Sequence, residues 1–139
     1  MLRASFTWIG PAIGTMLFLD THILVWLYRG SKEFFSEVAQ QELQNNDLVI
    51  SPIVLLELQY LYEAKKIRPK GDAIFSELQK TIGVRIAQHD GETIARSALP
   101  LSWTRDPFDR IIVAHALSQK AKLLTKDRTI LRHYPRAVW

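Results

Sequence analysis

Leu48-Val49-Ile50-Ser51-Pro52-Ile53-Val54-Leu55-Leu56-Glu57-Leu58-Gln59-Tyr60-Leu61 decides the fold, because its character changes in the middle. Leu48-Val49-Ile50 is a short apolar run of the kind that forms a buried strand. Ser51-Pro52 then supplies a cap residue followed by proline at the first helical position, so a helix is expected from Pro52 to about Lys66. The same strand-into-helix step recurs along the chain. Met16-Leu17-Phe18-Leu19 ends in Asp20, and Thr21 can cap an apolar helix over His22 to Tyr28. Val84-Arg85-Ile86 precedes a helix capped by Asp90 and running to about Ala98. Lys122-Leu123-Leu124-Thr125 ends near Asp127, and Ala137-Val138 adds a short edge strand. Further helices are expected over Ser31–Asn45, with Phe34, Phe35, Val38, Ala39 and Leu43 as apolar positions, from about Pro69 to Thr81, and from Asp106-Pro107 to about Lys120. Strands alternating with helices imply a parallel sheet covered on both faces. In such sheets a ligand site lies beyond the C-terminal strand ends, where Asp20 and Asp127 both fall.

At 139 residues the chain is expected to be one domain, with a core large enough to need no staple. The absence of cysteine excludes disulfides and thiolate-ligated metals, so any metal must use carboxylates or the 4 histidines. A net charge of +4 and a pI near 9.5 favour an acidic partner such as nucleic acid. Because the candidate site is itself acidic, the basic residues are expected around it, as a rim that guides phosphate.

Glu57 is the most informative residue. On a helix its face-mates are Ile53, Val54, Tyr60 and Leu61, whereas Gln59, Glu63 and Lys66 mark the polar side. An inward carboxylate is costly unless it meets a cation or takes a proton. A metal ligand is the preferred reading, and a buried salt bridge is the alternative. Asp109 has Ile112, Val113 and Ala116 at i+3, i+4 and i+7, yet it also stands three residues after Asp106, the spacing of a capping box. Function and capping both remain open for it. Asp20 and Asp127 each follow an apolar strand, where aspartate is also a common turn former. Four acids brought to one end of a sheet repel one another unless a divalent cation screens them. Oxygen-only ligands suit Mg²⁺ or Mn²⁺, which activate water and neutralise charge developing on a phosphodiester. Among the histidines, His22 can line the site, His115 is expected to pack inside, and His89 and His133 are expected at the surface. No Gly-rich phosphate loop and no Gly-x-Ser-x-Gly elbow is present.

Leu17-Phe18-Leu19-Asp20-Thr21-His22, Ile50-Ser51-Pro52 leading to Leu56-Glu57-Leu58, Arg105-Asp106-Pro107-Phe108-Asp109-Arg110 and Leu124-Thr125-Lys126-Asp127 together resemble a PIN domain of the VapC toxin type. The match runs from Met16 to the end, and the Asp-Thr-His and Asp-Pro-Phe-Asp-Arg segments are its most specific pieces. The resemblance implies a three-layer α/β/α sandwich around a central parallel sheet, Mg²⁺- or Mn²⁺-dependent RNA cleavage, a homodimer, and a cognate antitoxin that inhibits near the acidic site. It assigns Asp20, Glu57, Asp109 and Asp127 to the metal and to catalysis, with Asp106 as an accessory cap. The expected reaction is in-line attack of water on an RNA phosphodiester. Arg105, Arg110, Lys126 and Arg128 are candidates to hold the RNA backbone, with Thr125 beside them.

Two other readings fit parts of the same pattern. A housekeeping PIN nuclease, or a PIN domain that only binds, would carry the same fold. A phosphoacceptor receiver domain also places acids at strand ends and a lysine nearby, but its adjacent acids after the first strand are replaced here by Thr21-His22. Residues 1–15 are expected to be an extension ahead of a domain spanning 16–139. Ala4–Leu19 is uncharged but is broken by Gly10, Pro11 and Gly14 and falls short of the ~20 residues that span a bilayer. A cytoplasmic protein with no membrane association is therefore expected.

Overall fold

The computed structural model describes residues 15–139. The expected extension lies outside the described residues, apart from Thr15, whose carbonyl accepts from the Asp47 amide at 3.0 Å. Five strands, β1 (Met16–Leu19), β2 (Asp47–Ile50), β3 (Arg85–Ile86), β4 (Lys122–Leu124) and β5 (Ala137–Val138), form one sheet in the order β3-β2-β1-β4-β5. Every pairing is parallel. Parallel neighbours need crossover connections, and helices supply them: α1 (Thr21–Arg29), α2 (Glu37–Asn45), α3 (Ile53–Glu63), α4 (Gly71–Ile82), α5 (Gly91–Ala98), α6 (Pro107–Ser118) and α7 (Arg128–His133). The layers are those of the expected α/β/α sandwich. α1 and α3 pack on α4, α5 packs on α6, and α3 reaches α6.

The central strands are apolar on both faces because both faces are covered. Leu17, Phe18, Leu19, Val49, Ile50, Leu123 and Leu124 are all fully buried. α4 begins at Gly71 because it meets α3 there: a Cβ on Gly71 would lie 2.5 Å from the Leu58 Cβ. The strand order reverses direction at β1, whose flanking neighbours are β2 and β4. A crevice opens beyond the C-terminal ends of β1 and β4, where their following segments diverge. Asp20 stands at the end of β1 with its amide donating to the Leu124 carbonyl, and Asp127 starts α7 just after β4.

Several local expectations are corrected. Thr21 does not cap α1; Asp20 does, accepting from the Thr21 amide at 2.8 Å, and Thr21 is the first helical residue. Ser51 makes no cap bond to α3, which starts at Ile53, and its hydroxyl instead meets the Nδ1 of buried His115 at 2.9 Å. The segment 31–45 is not one helix. A 3-10 turn over Lys32–Phe34 breaks before α2, and Ser36 caps the new start by accepting from the Ala39 amide. A serine hydroxyl that satisfies a free amide makes a restart favourable there. The break leaves Phe35, Ala39 and Leu43 buried but Phe34 and Val38 largely exposed. Tyr60 is likewise more than half exposed, so the inward face of α3 is narrower than its spacing suggests. Among the described residues no helix is long and apolar enough to cross a membrane.

Candidate active site

The crevice at the end of β1 and β4 is a cavity of about 420 Å³. Asp20, His22, Ile23, Trp26, Glu57, Asp106, Asp109, Lys126 and Asp127 line it. All four acids singled out from the sequence therefore share one cavity, and Asp106 joins them. Four elements deliver them: the start of α1, the second turn of α3, the first turn of α6 and the start of α7.

Asp20 is only 7% exposed, and both of its oxygens are held. Oδ1 accepts from the Thr21 amide, and Oδ2 accepts from the Thr125 hydroxyl at 2.6 Å. The Thr125 hydroxyl in turn accepts from the Asp127 amide at 3.0 Å. One threonine thus ties the acid after β1 to the acid after β4. Glu57, half-buried, accepts from the Thr21 hydroxyl at 2.5 Å. Neither threonine hydroxyl was visible as a site residue in the role it plays. In the sequence Thr125 has only its place in the matched segment, and Thr21 looks like a helix cap. No periodicity announces a hydroxyl that reaches a carboxylate 36 or 105 positions away.

Burial raises the pKa of Asp20, against the bonds from Thr125 and Thr21 that favour its ionised form. Burial also raises Glu57, and the neighbouring Asp20 and Asp106 charges add to the effect. Asp109 is pushed furthest, to about 7, by burial first and then by Asp20, Asp106, Asp127 and Glu57. Among the described residues none of the ion pairs involves Glu57, so no described cation supports the buried salt bridge as its explanation. The capping reading also fails for Asp109. Asp106 caps α6 by accepting from the Phe108 and Asp109 amides, but its own amide donates to Thr104, not to Asp109. Asp127 combines both roles, accepting from the Thr129 and Ile130 amides as the cap of α7 while facing the cavity.

The basic candidates separate. Lys126 lines the cavity. Arg105 and Arg128 are exposed and do not line it. Arg110 is turned to the structure: its guanidinium donates to the carbonyls of Ala98 at 2.9 Å, Leu99 at 2.9 Å and Thr104 at 3.4 Å, fastening the end of α5 and the following loop to α6. Arg110→Ala is expected to cost about 2–3 kcal/mol, since hydrogen bonds from a charged donor are lost and carbonyls are stranded. The check is thermal melting of the variant beside the wild type. A melting temperature lowered by several degrees is expected, and an unchanged one would show that these bonds do not hold α5 to α6.

The residues present suit a hard divalent cation. Five carboxylates supply most of the donors, with His22 also at the lining, and the repulsion among the acids is what such an ion relieves. Among the described residues no three of them converge tightly enough to enclose an ion directly. A walled cavity of this size instead fits a cation that keeps several waters and touches one or two carboxylates, which is how Mg²⁺ is commonly held.

The model of the PIN domain family matches residues 17–136, nearly the whole of the described chain. The chain belongs to the PIN domain family. This PIN domain is 31% identical over 132 residues to Ribonuclease VapC22 of Mycobacterium tuberculosis, covering 89% of this chain and 97% of that protein. Its fold is similar to that of VapBC2 from Rickettsia felis, solved bound to a DNA fragment from their promoter, with a TM-score of 0.64 at 21% identity. That match covers 89% of this chain and 96% of the other. A toxin–antitoxin complex from Klebsiella pneumoniae is also similar, with a TM-score of 0.63 at 22% identity over 88% and 96% of the two chains.

Proposed function

We propose that this PIN domain is an endoribonuclease dependent on Mg²⁺ or Mn²⁺, and the toxin of a toxin–antitoxin pair acting in the cytoplasm. The observation that carries the reading is the convergence of Asp20, Glu57, Asp106, Asp109 and Asp127 on one cavity at the point where the sheet reverses its strand order. Asp20, Glu57, Asp109 and Asp127 would surround the cation, one or two of them touching it and the others reaching it through its waters. When bound, it supplies a more acidic water and screens charge developing on the phosphodiester. The chain's own residues prepare for this. Thr125 and Thr21 fix the Asp20 and Glu57 carboxylates in place without neutralising them. Asp106 and Asp127 hold the starts of α6 and α7 against the cavity. In the reaction a water oxygen forms a bond to phosphorus, the opposite P–O bond breaks, and a proton passes to the departing oxygen.

The relative named as a ribonuclease supports RNA as the substrate. The similar toxin–antitoxin complexes support an antitoxin partner. A homodimer is supported by the apolar face of α3, where Leu56 and Tyr60 are each more than half exposed and the Tyr60 ring lies 6.0 Å from that of Phe108. Nothing in the geometry favours the receiver reading, since the acids come from four separate elements instead of adjoining positions after β1.

The test is cleavage of a structured RNA by protein freed of contaminating nuclease. Cleavage is expected in Mg²⁺ or Mn²⁺, should vanish in EDTA and should return with excess cation. Undiminished cleavage in chelator would contradict the proposal.

A further inference from the structure

We infer that Trp26 and Trp139 are positioning residues that hold the Lys126 ammonium off the carboxylates and present it to an RNA phosphate. The inference rests on the ribonuclease reading and extends it to how substrate is gripped. Lys126 lines a cavity walled by five carboxylates, the setting in which a flexible lysine would be expected to fold onto an acid. Among the described residues it forms no ion pair. Its Nζ instead lies over two indoles, 5.7 Å from the Trp26 ring centre and 5.5 Å from that of Trp139. Both distances are within the range at which an aromatic face attracts a cation.

The clamp is built, because each ring is braced. Trp26 and Trp139 meet edge-on at 5.9 Å, and both contact buried Phe35, at 6.2 and 5.8 Å. Trp26 stands on α1 and lines the cavity, while Trp139 follows β5, which pairs with β4. The backbone of Lys126 is also fixed, since Thr125 bonds Asp20 on one side and Asp127 caps α7 on the other. The consequence is a separation of charge within one cavity. The carboxylates stay free for a cation, and a single ammonium stays free for the anion that must approach them. Without the indoles, the lysine would fold toward the acids it sits beside, and its contact with the phosphate would be lost.

The experiment measures binding of a short single-stranded RNA across a series of salt concentrations, with KM and kcat for its cleavage in Mg²⁺. The variants are Lys126→Gln, Trp139→Leu, Trp139→Phe and the double variant Lys126→Gln/Trp139→Leu. Lys126→Gln should lower the log–log salt slope by about 0.7, the share of one phosphate contact on a single strand. Trp139→Leu should lower the slope similarly and raise KM more than it lowers kcat, and Trp139→Phe should recover most of the loss. The double variant should be no worse than Lys126→Gln alone. A Trp139→Leu protein that loses affinity with an unchanged slope would assign the indole to base stacking and overturn the clamp. A lowered melting temperature with unchanged slope and KM would make the aromatic cluster merely structural, and would overturn it equally. If the wild type neither binds nor cleaves RNA, the ribonuclease reading itself has failed and the clamp falls with it. If the wild type cleaves while the variants match it, only the clamp has failed.

Discussion

Glu57→Gln is expected to lower RNA cleavage by about 10²–10³-fold, the loss typical when one preorganised electrostatic group is removed. The cation-free chain should meanwhile melt at the same temperature or slightly higher. Glutamine keeps the shape and one carbonyl oxygen, so the Thr21 hydroxyl, which donates to Glu57 at 2.5 Å, retains an acceptor. What disappears is a charge whose pKa is raised by burial, and further by Asp20 and Asp106. Removing it relieves repulsion in the empty site. A glutamate held in a buried salt bridge behaves oppositely: the stranded partner costs about 3–5 kcal/mol. Cleavage retained alongside a large fall in stability would show that Glu57 serves the fold and not the chemistry.

The second large effect is on stability against pH, isolated by comparing the wild type with Asp109→Asn in the absence of divalent cation. Asp109 in the folded chain is raised to about 7 from an ordinary 3.8. Below about 3.8 both states carry the proton and the site costs nothing. As pH rises between 3.8 and 7 the unfolded chain loses the proton first, so folding stability falls, and the loss is complete once the folded group has also ionised. Asp20 and Glu57 are shifted in the same direction. His115 works against them: burial lowers it to about 4 from 6.5, so its contribution is lost as pH falls through that window. The two slopes overlap in the wild type alone, and the Asp109→Asn comparison removes His115 from the difference. The variant should gain stability relative to the wild type steadily from pH 4 to pH 8. After discounting for solvent screening at a half-buried site, the gain is on the order of 1–2 kcal/mol, or a few degrees of melting temperature. Added Mg²⁺ should erase most of it by stabilising the wild type. A difference that does not change with pH would mean that Asp109 ionises without strain.

Periodicity and strand ends make much of the fold and several of the site acids legible in the sequence. Leu17-Phe18-Leu19 and Leu48-Val49-Ile50 are uninterrupted apolar runs because both faces of the sheet are covered, so their strands could be read directly. Asp20 is legible by the same logic as the residue directly after an apolar run, and Asp127 as the acid three residues beyond Leu124. Asp109 was legible as inward-facing, because Ile112, Val113 and Ala116 are indeed buried. Its competing role as a cap was settled only by the Asp106 amide turning to Thr104, a choice between two nearby acceptors that no spacing rule makes. Ser51 looked like a helix cap, yet its hydroxyl serves His115, which comes from α6 far along the chain. Arg110 looked like a phosphate contact because it lies in the most specific matched segment. Its three carbonyl acceptors come from the end of α5 and its loop, whose approach to α6 is a tertiary fact. The pairing of Trp26 with Trp139 was hidden for the same reason, since it depends on β5 joining the sheet next to β4.

Binding of a divalent cation by these carboxylates is tested most directly by titrating Mn²⁺ while following the paramagnetic signal of the free ion. Wild-type protein should show saturable binding. The double variant Glu57→Gln/Asp109→Asn should bind far more weakly while melting at the same or a higher temperature. Saturable binding of equal affinity in both proteins would contradict the account, because the cation would then be held somewhere other than the cavity at the end of β1 and β4.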